Sequence, residues 1–216
     1  MAYRRTERET ARLAARHEAI VEAARALASE SGLGAVQIVP VAERAGIAAG
    51  TVYRYFPSKD DLVAAVVSAT AERQVAAIRA AVAAAPGPLS GLAAAIAAFA
   101  STTLRTRRLA WAMLAEAPEG GDTSCFAFRR KIGGEFEGLI RTAIAAGHLP
   151  DQPPAAMAAG VIGATVESLL GPLARASVGP EAERAAVQGI TLFALRALGV
   201  ADARARGLVI SAIGSQ

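Results

Sequence analysis

The segment Ile38–Tyr55, IVPVAERAGIAAGTVYRY, has small and apolar residues at the spacing of two short helices that cross at a tight turn. Ala42 allows the two helices to approach closely. Gly46 stands where a helix C-terminus commonly takes a left-handed residue, which glycine adopts without steric cost. With Val52 supplying an apolar contact between the helices, the pattern predicts a helix-turn-helix, whose second helix enters a major groove of DNA.

A helical hairpin buried inside a core is the alternative interpretation, and it requires an apolar outer face on the second helix. The sequence there is polar instead. Hydroxyl and guanidinium donors suited to phosphates and base edges come from Thr51, Tyr53, Arg54 and Tyr55. We therefore interpret the segment as a DNA-binding element.

The surrounding residues, Ile20 to Val67, resemble the TetR family of bacterial transcriptional regulators. The N-terminal module of that family carries an AERAG turn followed by a G-T-hydrophobe-Y-x-Y-F-x-S-K segment. The matching positions are Thr51, Tyr53, Tyr55, Phe56, Ser58 and Lys59. The resemblance covers the first third of the chain. It implies an all-α fold, with a three-helix DNA-binding domain over residues 1–58 and a linking helix into a ligand-binding and dimerisation bundle over 59–216.

The same resemblance implies which residues meet DNA. Thr51, Tyr53 and Lys59 occupy positions of phosphate contacts, and Tyr55 combines packing of its ring with a hydroxyl that can reach the backbone. Arg54 is expected to read a base, because arginine can bind guanine with two hydrogen bonds; a phosphate contact is the alternative. The start of the helix, with Ala48, Ala49 and Gly50, completes the predicted DNA-binding set.

Positions 48 and 49 depart from the family pattern, which commonly has Ser or Thr followed by a polar residue. Here both residues are alanine. The recognition helix therefore lacks a side-chain N-cap, at a cost of about 1 kcal/mol. We expect recognition to depend on contacts with thymine methyl groups, on Arg54 and on DNA shape.

Composition favours helices throughout the 216 residues, since 53% are hydrophobic, only 5% are aromatic and alanine dominates. No alternating strand pattern with a hairpin turn is present. Beyond the helix-turn-helix, the periodicity and the Gly and Pro breaks predict helices over Glu9–Ser31, Lys59–Ala84, Leu89–Thr103, Arg107–Ala117, Cys125–Gly147, Pro154–Ala176 and Pro180–Leu198.

The net charge of +4 is compatible with a nucleic-acid partner but does not require one. The first sixteen residues are locally basic. They form either an arm that touches DNA or a solvated tail, and both interpretations stay open. The arginines of this stretch are Arg4, Arg5, Arg8, Arg12 and Arg16.

Other classes of site have little support. Cys125 is the single cysteine, and His17 and His148 are far apart in sequence, so neither a disulfide nor a metal centre is predicted. No phosphate-binding glycine loop or nucleophile–base pair is present, so we expect no enzyme and no cofactor. The start of the chain has no apolar signal segment, and the apolar run Gly91 to Leu104 is too short to cross a bilayer. We expect a cytoplasmic protein with no membrane partner.

For the C-terminal part, the resemblance implies a homodimer formed by the last two long helices and a pocket for an apolar small molecule. The predicted function is a repressor that such a ligand releases from a palindromic operator. The alternatives are an activator or co-repressor-type regulator, or an architectural DNA-binding protein without an effector. The predicted ligand-binding residues are Phe99, Leu104, Trp111, Met113, Phe126, Phe136 and Glu167, the last as a buried carboxylate facing a polar group.

Overall fold

The computed structural model describes residues 2–114, 123–174 and 179–214, which contain ten α-helices and no strand. The predicted all-α class is confirmed. A 3-10 turn over Leu33–Ala35 separates the first two helices. The helices are α1 Ala2–Ser31, α2 Ile38–Arg44, α3 Ala49–Tyr55, α4 Lys59–Ala83, α5 Pro88–Arg105, α6 Arg107–Leu114, α7 Thr123–Ala145, α8 Pro154–Leu170, α9 Pro180–Ala197 and α10 Asp202–Gly214.

The chain divides into two compact units, Met1–Thr70 and Ala71–Gln216, and the division falls within α4. In the N-terminal unit, α2 contacts both α1 and α3. Its apolar core has one or more side chains from each of its helices, because each helix is short or amphipathic and must bury a stripe against another. The most buried members are Ile20, Ala24, Val36, Val41, Val52, Leu62 and Val66.

The C-terminal unit is organised around α5, which contacts α6, α7, α8, α9 and α10. Residues 91–100 of this helix are buried without interruption. A helix that is apolar on every side is stable only when other elements surround it completely. Six alanines and one glycine in that stretch let the neighbours approach closely. Gly91 illustrates the fit, since a Cβ atom there would lie 3.4 Å from the Val82 side chain.

Most predicted helices agree with the structure to within about two residues at each end, which is the usual scatter of boundaries. The predicted continuation of α8 to Ala176 is wrong, because Gly171 leaves the helical conformation with φ −64° and ψ 170°. The predicted end of α6 at Ala117 lies outside the described residues. The first helix begins at Ala2 rather than Glu9, so the backbone of the basic stretch is helical. The side chains of Arg4, Arg5 and Arg8 are outside the described part.

Helix α10 was not predicted from the sequence. Its buried residues Ala205, Val209 and Ile213 recur every four positions, which is a helical pattern. The signal is weak because the helix has only 13 residues and Gly207 interrupts it. Asp202 starts the helix and pairs with Arg196 and Arg206; hydrogen bonds from these two guanidinium groups lower the pKa of the Asp202 carboxyl.

Within the described ranges, none of the helices combines the length and the apolar character needed to cross a membrane.

We predict that Ser58→Ala lowers the free energy of unfolding by about 1 kcal/mol. The Ser58 hydroxyl accepts a hydrogen bond from the Asp61 N–H at 3.1 Å, and the Asp61 carboxylate accepts one from the Ser58 N–H at 3.1 Å, which together form a capping box at the start of α4. Urea unfolding followed by circular dichroism measures the change.

Ser29→Ala is the control for this substitution. The Ser29 hydroxyl donates to the Arg25 carbonyl within α1, and such a bond adds little to helix stability. Equal stability of the Ser58→Ala and Ser29→Ala variants would show that the cap does not stabilise α4.

Candidate nucleic-acid interface

The turn between α2 and α3 closes with two backbone hydrogen bonds. Gly46 adopts φ 67°, as the sequence predicted for this position. The Ile47 N–H donates to the Ala42 carbonyl at 3.0 Å, and the Gly46 N–H donates to the Glu43 carbonyl at 3.1 Å. This pairing is a Schellman motif, which satisfies carbonyl groups at the end of α2 and turns the chain sharply.

Helix α3 has one buried and one exposed face. Val52 is completely buried and fixes the helix against the unit. On the opposite side Gly50, Tyr53 and Arg54 are exposed, and their i, i+3, i+4 spacing places them on one stripe. Tyr53 is 54% exposed, so its ring and hydroxyl are accessible to a partner. The helix therefore presents a hydroxyl and a guanidinium outward from a rigidly packed base.

The two ends of α3 differ in how they are stabilised. Ala48 has extended backbone angles and makes no side-chain cap, which confirms the expectation for this alanine. Its carbonyl accepts a hydrogen bond from the Thr51 N–H at 2.8 Å. At the other end Phe56 is buried and ends the helix, with its N–H donating to the Val52 carbonyl at 2.9 Å.

The remaining predicted DNA-binding residues surround this exposed stripe. Ala48 is exposed and Ala49 half-buried, while Thr51 and Tyr55 are half-buried on the flanks of α3. Lys59 is exposed in the first turn of α4, directly after the capping box. The N-terminal unit thus brings all eight predicted residues to α3 and its immediate borders.

Two contacts between elements of the N-terminal unit were not predicted from the sequence. The His17 ring of α1 lies 4.9 Å from the Phe56 ring and 6.4 Å from the Tyr55 ring, measured between centroids. Arg44 at the end of α2 donates to the Glu30 carboxylate at 2.7 Å, and these hydrogen bonds lower the pKa of Glu30. Neither pair belongs to the helix-turn-helix pattern, and the partners in each are too far apart in sequence for periodicity to link them.

The predicted ligand-binding residues separate into buried and exposed sets. Phe99, Leu104, Met113 and Phe136 are buried in the C-terminal unit. The rings of Phe99 and Phe136 meet edge to face with centroids 5.5 Å apart, so α5 and α7 share an aromatic contact.

Three predicted ligand-binding residues are not in the core. Trp111 is half-buried, and Phe126 is 58% exposed, with the Arg130 guanidinium 5.0 Å from its ring. Glu167 is exposed on α8, so the expectation of a buried carboxylate is wrong for the single chain. It lines an open groove between α8 and α9 together with Leu173 and Phe193.

Across the part of the chain that is described, no three His, Cys, Asp or Glu side chains are grouped as metal ligands would be. Cys125 is buried.

Comparison with known proteins agrees with the module seen at the N-terminus. A family model described as bacterial regulatory proteins, tetR family, matches residues 20–66. The HTH-type transcriptional repressor KstR of Rhodococcus jostii is 50% identical over 58 residues, which are 27% of this chain and 27% of that protein. The N-terminal module is therefore of the TetR type. The chain matches only about a quarter of the length of the curated repressors, so this similarity is limited to the N-terminal module.

Solved structures resemble nearly the whole chain in fold. The fatty acid degradation regulator FadR from Bacillus halodurans superposes with a TM-score of 0.70 at 18% identity, covering 86% of this chain and 97% of that one. FadR from Bacillus subtilis in complex with stearoyl-CoA gives a TM-score of 0.61 at 15% identity, covering 92% and 98%. The similarity in fold therefore includes the C-terminal unit, which the sequence matches do not cover.

We predict that Glu30→Gln reduces the acid sensitivity of the N-terminal unit. Because Arg44 lowers the pKa of Glu30 in the folded chain, this pair stabilises the fold above the ordinary glutamate pKa of 4.5 and loses its contribution as the pH falls through the lowered value. Thermal unfolding between about pH 6 and pH 3 should show the variant less stable at the upper end and equal to the natural chain at the lower end.

Glu18→Gln is the control, because Glu18 is exposed on the same helix and no ion pair is seen for it in the described chain. If Glu30→Gln and Glu18→Gln give the same pH profile, the Glu30–Arg44 pair does not couple α1 to α2 energetically.

Proposed function

We propose that this chain is a ligand-responsive transcriptional repressor, which binds a palindromic DNA operator as a homodimer and leaves it when an apolar small molecule binds. The observation that carries this proposal is the outward stripe of α3, with Tyr53 and Arg54 exposed above a buried Val52. Residues 1–58 would bind DNA, and residues 59–216 would bind the ligand and form the dimer. The protein would act in the cytoplasm, where its operator lies, by binding and without catalysis.

In this proposal α3 lies in the major groove, where the exposed stripe faces base edges. Arg54 reads a base, and Thr51, Tyr53 and Lys59 bind phosphates on either side. Tyr55 combines ring packing with a hydroxyl near the backbone. Ala48, Ala49 and Gly50 have no long side chains, so this end of the helix can approach the groove closely and contact thymine methyl groups.

Dimerisation would use α8 and α9. The outward side of α8 has small exposed residues, Ala156, Gly160 and Gly163 among them, which permit close helix approach. Beside them the groove between α8 and α9 is lined by Leu169, Ile190 and the exposed Phe193. An apolar surface of this kind is typical of protein interfaces rather than of free surface. Two linked recognition helices then match two successive major grooves of a palindrome.

The effector would bind in the C-terminal unit. Stearoyl-CoA in the Bacillus subtilis FadR structure supports an effector with a large apolar part for a chain of this fold. The buried predicted residues Phe99, Leu104, Met113 and Phe136 offer apolar contacts for it, and the half-buried Trp111 can meet it at the edge of the core. Phe126 and Glu167 are exposed in the single chain and would contribute only where a partner or ligand covers them.

Two other functions remain alternatives to release by ligand. A ligand that prefers the DNA-binding conformation would make the protein an activator or a co-repressor-type regulator. A protein without any effector would be architectural. Operator affinity measured with and without a stabilising compound separates the three, because it falls, rises or stays constant respectively. The KstR relatives are repressors by name, which favours repression over activation.

We predict that Arg54→Ala and Lys59→Ala weaken operator binding in different ways. Without Arg54, discrimination at one base position of each half-site should fall by about 1–3 kcal/mol. Without Lys59, binding should weaken for all sequences alike, and the slope of log affinity against log salt should fall by about 0.9 for each lost contact. Selection from random duplexes followed by salt titration measures both.

The two variants control for each other, since both side chains are exposed and neither change disturbs the core. Unaltered base preference in Arg54→Ala would contradict direct reading by that arginine and assign it to phosphate. Binding by the natural chain that shows no consensus at all would support the architectural function.

We predict that Phe193→Glu converts the dimer to a monomer and abolishes operator binding. Phe193 is 56% exposed in the groove between α8 and α9, and a carboxylate buried there without a partner is costly. Sedimentation velocity measures the mass, and electrophoretic mobility shift measures binding.

Ile210→Glu is the matched control, because Ile210 is 72% exposed on α10, away from that groove. It should leave both mass and DNA binding unchanged. A dimeric Phe193→Glu protein would place the dimer interface on another surface.

A further inference from the structure

Gln74 is a buried polar side chain that the C-terminal unit leaves without a partner. It lies on α4 in the part of that helix that belongs to this unit, and it is 5% exposed. No protein group accepts a hydrogen bond from its Nε2 atom. Among the side chains described over residues 9–114, 124–174 and 179–214, it is the only such buried nitrogen or oxygen.

Three other polar side chains of the same unit have hydrogen-bond partners. The buried Thr165 and Thr191 hydroxyls each donate at 2.7 Å to the carbonyl four residues earlier. Gln152 donates from its Nε2 to the Leu198 carbonyl at 3.0 Å. An amide that is buried without a hydrogen bond destabilises the folded state. We therefore expect such a group mainly at positions where the function requires it.

The surroundings of Gln74 along α4 are apolar. Ala71, Val75 and Ile78 share its buried face. Arg79, five residues further on, donates to the Glu135 carboxylate of α7 at 3.1 Å. Five residues span about 7.5 Å along a helix, so Gln74 lies less than two turns from this contact of α4 with α7.

The same region of α7 carries one of the predicted effector residues. Phe136 follows Glu135 directly, is fully buried, and contacts the Phe99 ring of α5. The Arg79–Glu135 pair therefore joins α4, which carries the unpaired amide, to α7 directly beside Phe136. Phe136 belongs to the aromatic contact of the proposed effector region.

We propose that the Gln74 carboxamide is the polar recognition group of the effector site. The effector is then an uncharged, largely apolar molecule with a carbonyl or hydroxyl oxygen that accepts the hydrogen bond from Nε2. This inference rests on the proposed function, and it specifies the chemical class of the effector. A charged ligand group is disfavoured here, because the neighbours on α4 are apolar and Arg79 is already paired with Glu135.

The first experiment compares Gln74→Met with Gln152→Met in the full-length protein without ligand, at one protein concentration. Methionine has similar length and no amide. Gln74→Met should raise the midpoint of thermal unfolding by about 2–4 °C, because it removes an unpaired buried group. Gln152→Met should lower it by a similar amount, because the Leu198 carbonyl loses its donor. A decrease in both variants would show that Gln74 is paired in the free protein and would overturn the proposal.

The second experiment uses two pairs of compounds that differ by one oxygen, naphthalene with β-naphthol and bornane with camphor. The natural chain should bind the oxygenated member about three- to tenfold more tightly, as one hydrogen bond predicts. Gln74→Met should bind both members of a pair equally. The same preference in both proteins, or binding of neither pair, would overturn the assignment.

Operator binding distinguishes failure of this inference from failure of the proposed function. Operator binding is therefore measured on the natural chain, and the circular dichroism spectrum shows whether Gln74→Met is folded. If the natural chain has no DNA sequence preference, the repressor function fails while the thermal comparison of the two glutamine variants still decides the state of the Gln74 amide.

Discussion

The left-handed turn at Gly46 is the constraint on which the DNA-binding module depends. A positive φ at this residue lets the chain reverse within two residues and lets Ile47 and Gly46 satisfy the carbonyls at the end of α2. Any side chain at this position is strained, whatever space surrounds it. The angle between α2 and α3, and with it the outward direction of Tyr53 and Arg54, follows from that single backbone conformation.

Much of this module could be predicted from the sequence because its determinants are local. The Gly46 turn, the missing cap at Ala48 and the capping box at Ser58 each depend on residues within five positions of one another. The supporting contacts were not predictable in that way. His17 reaches Phe56 and Glu30 reaches Arg44 only after the chain has folded, and neither pair has a sequence spacing that marks it.

For the C-terminal unit, the positions of the helices could be predicted from the sequence more accurately than the ligand-binding residues. Periodicity located α5 to α9, but an apolar side chain such as Phe99 has the same sequence signature whether it packs a core or lines a pocket. Exposure of Glu167 and Phe126 depends on how whole helices pack, which no local pattern contains. Gln74 could not be singled out from the sequence either. Its Nε2 atom lacks a hydrogen-bond acceptor only in the folded structure, and nothing in the sequence distinguishes it from an ordinary polar residue.

The alanine-rich centre of α5 has a consequence for how such a protein can change over generations. Where a buried residue is already Ala or Gly, nearly every substitution adds volume, and the five surrounding helices have no space to yield. We therefore expect the buried residues of α5 to change little during evolution. New ligand preferences would have to arise in the larger side chains of its neighbours, which can shrink as well as grow.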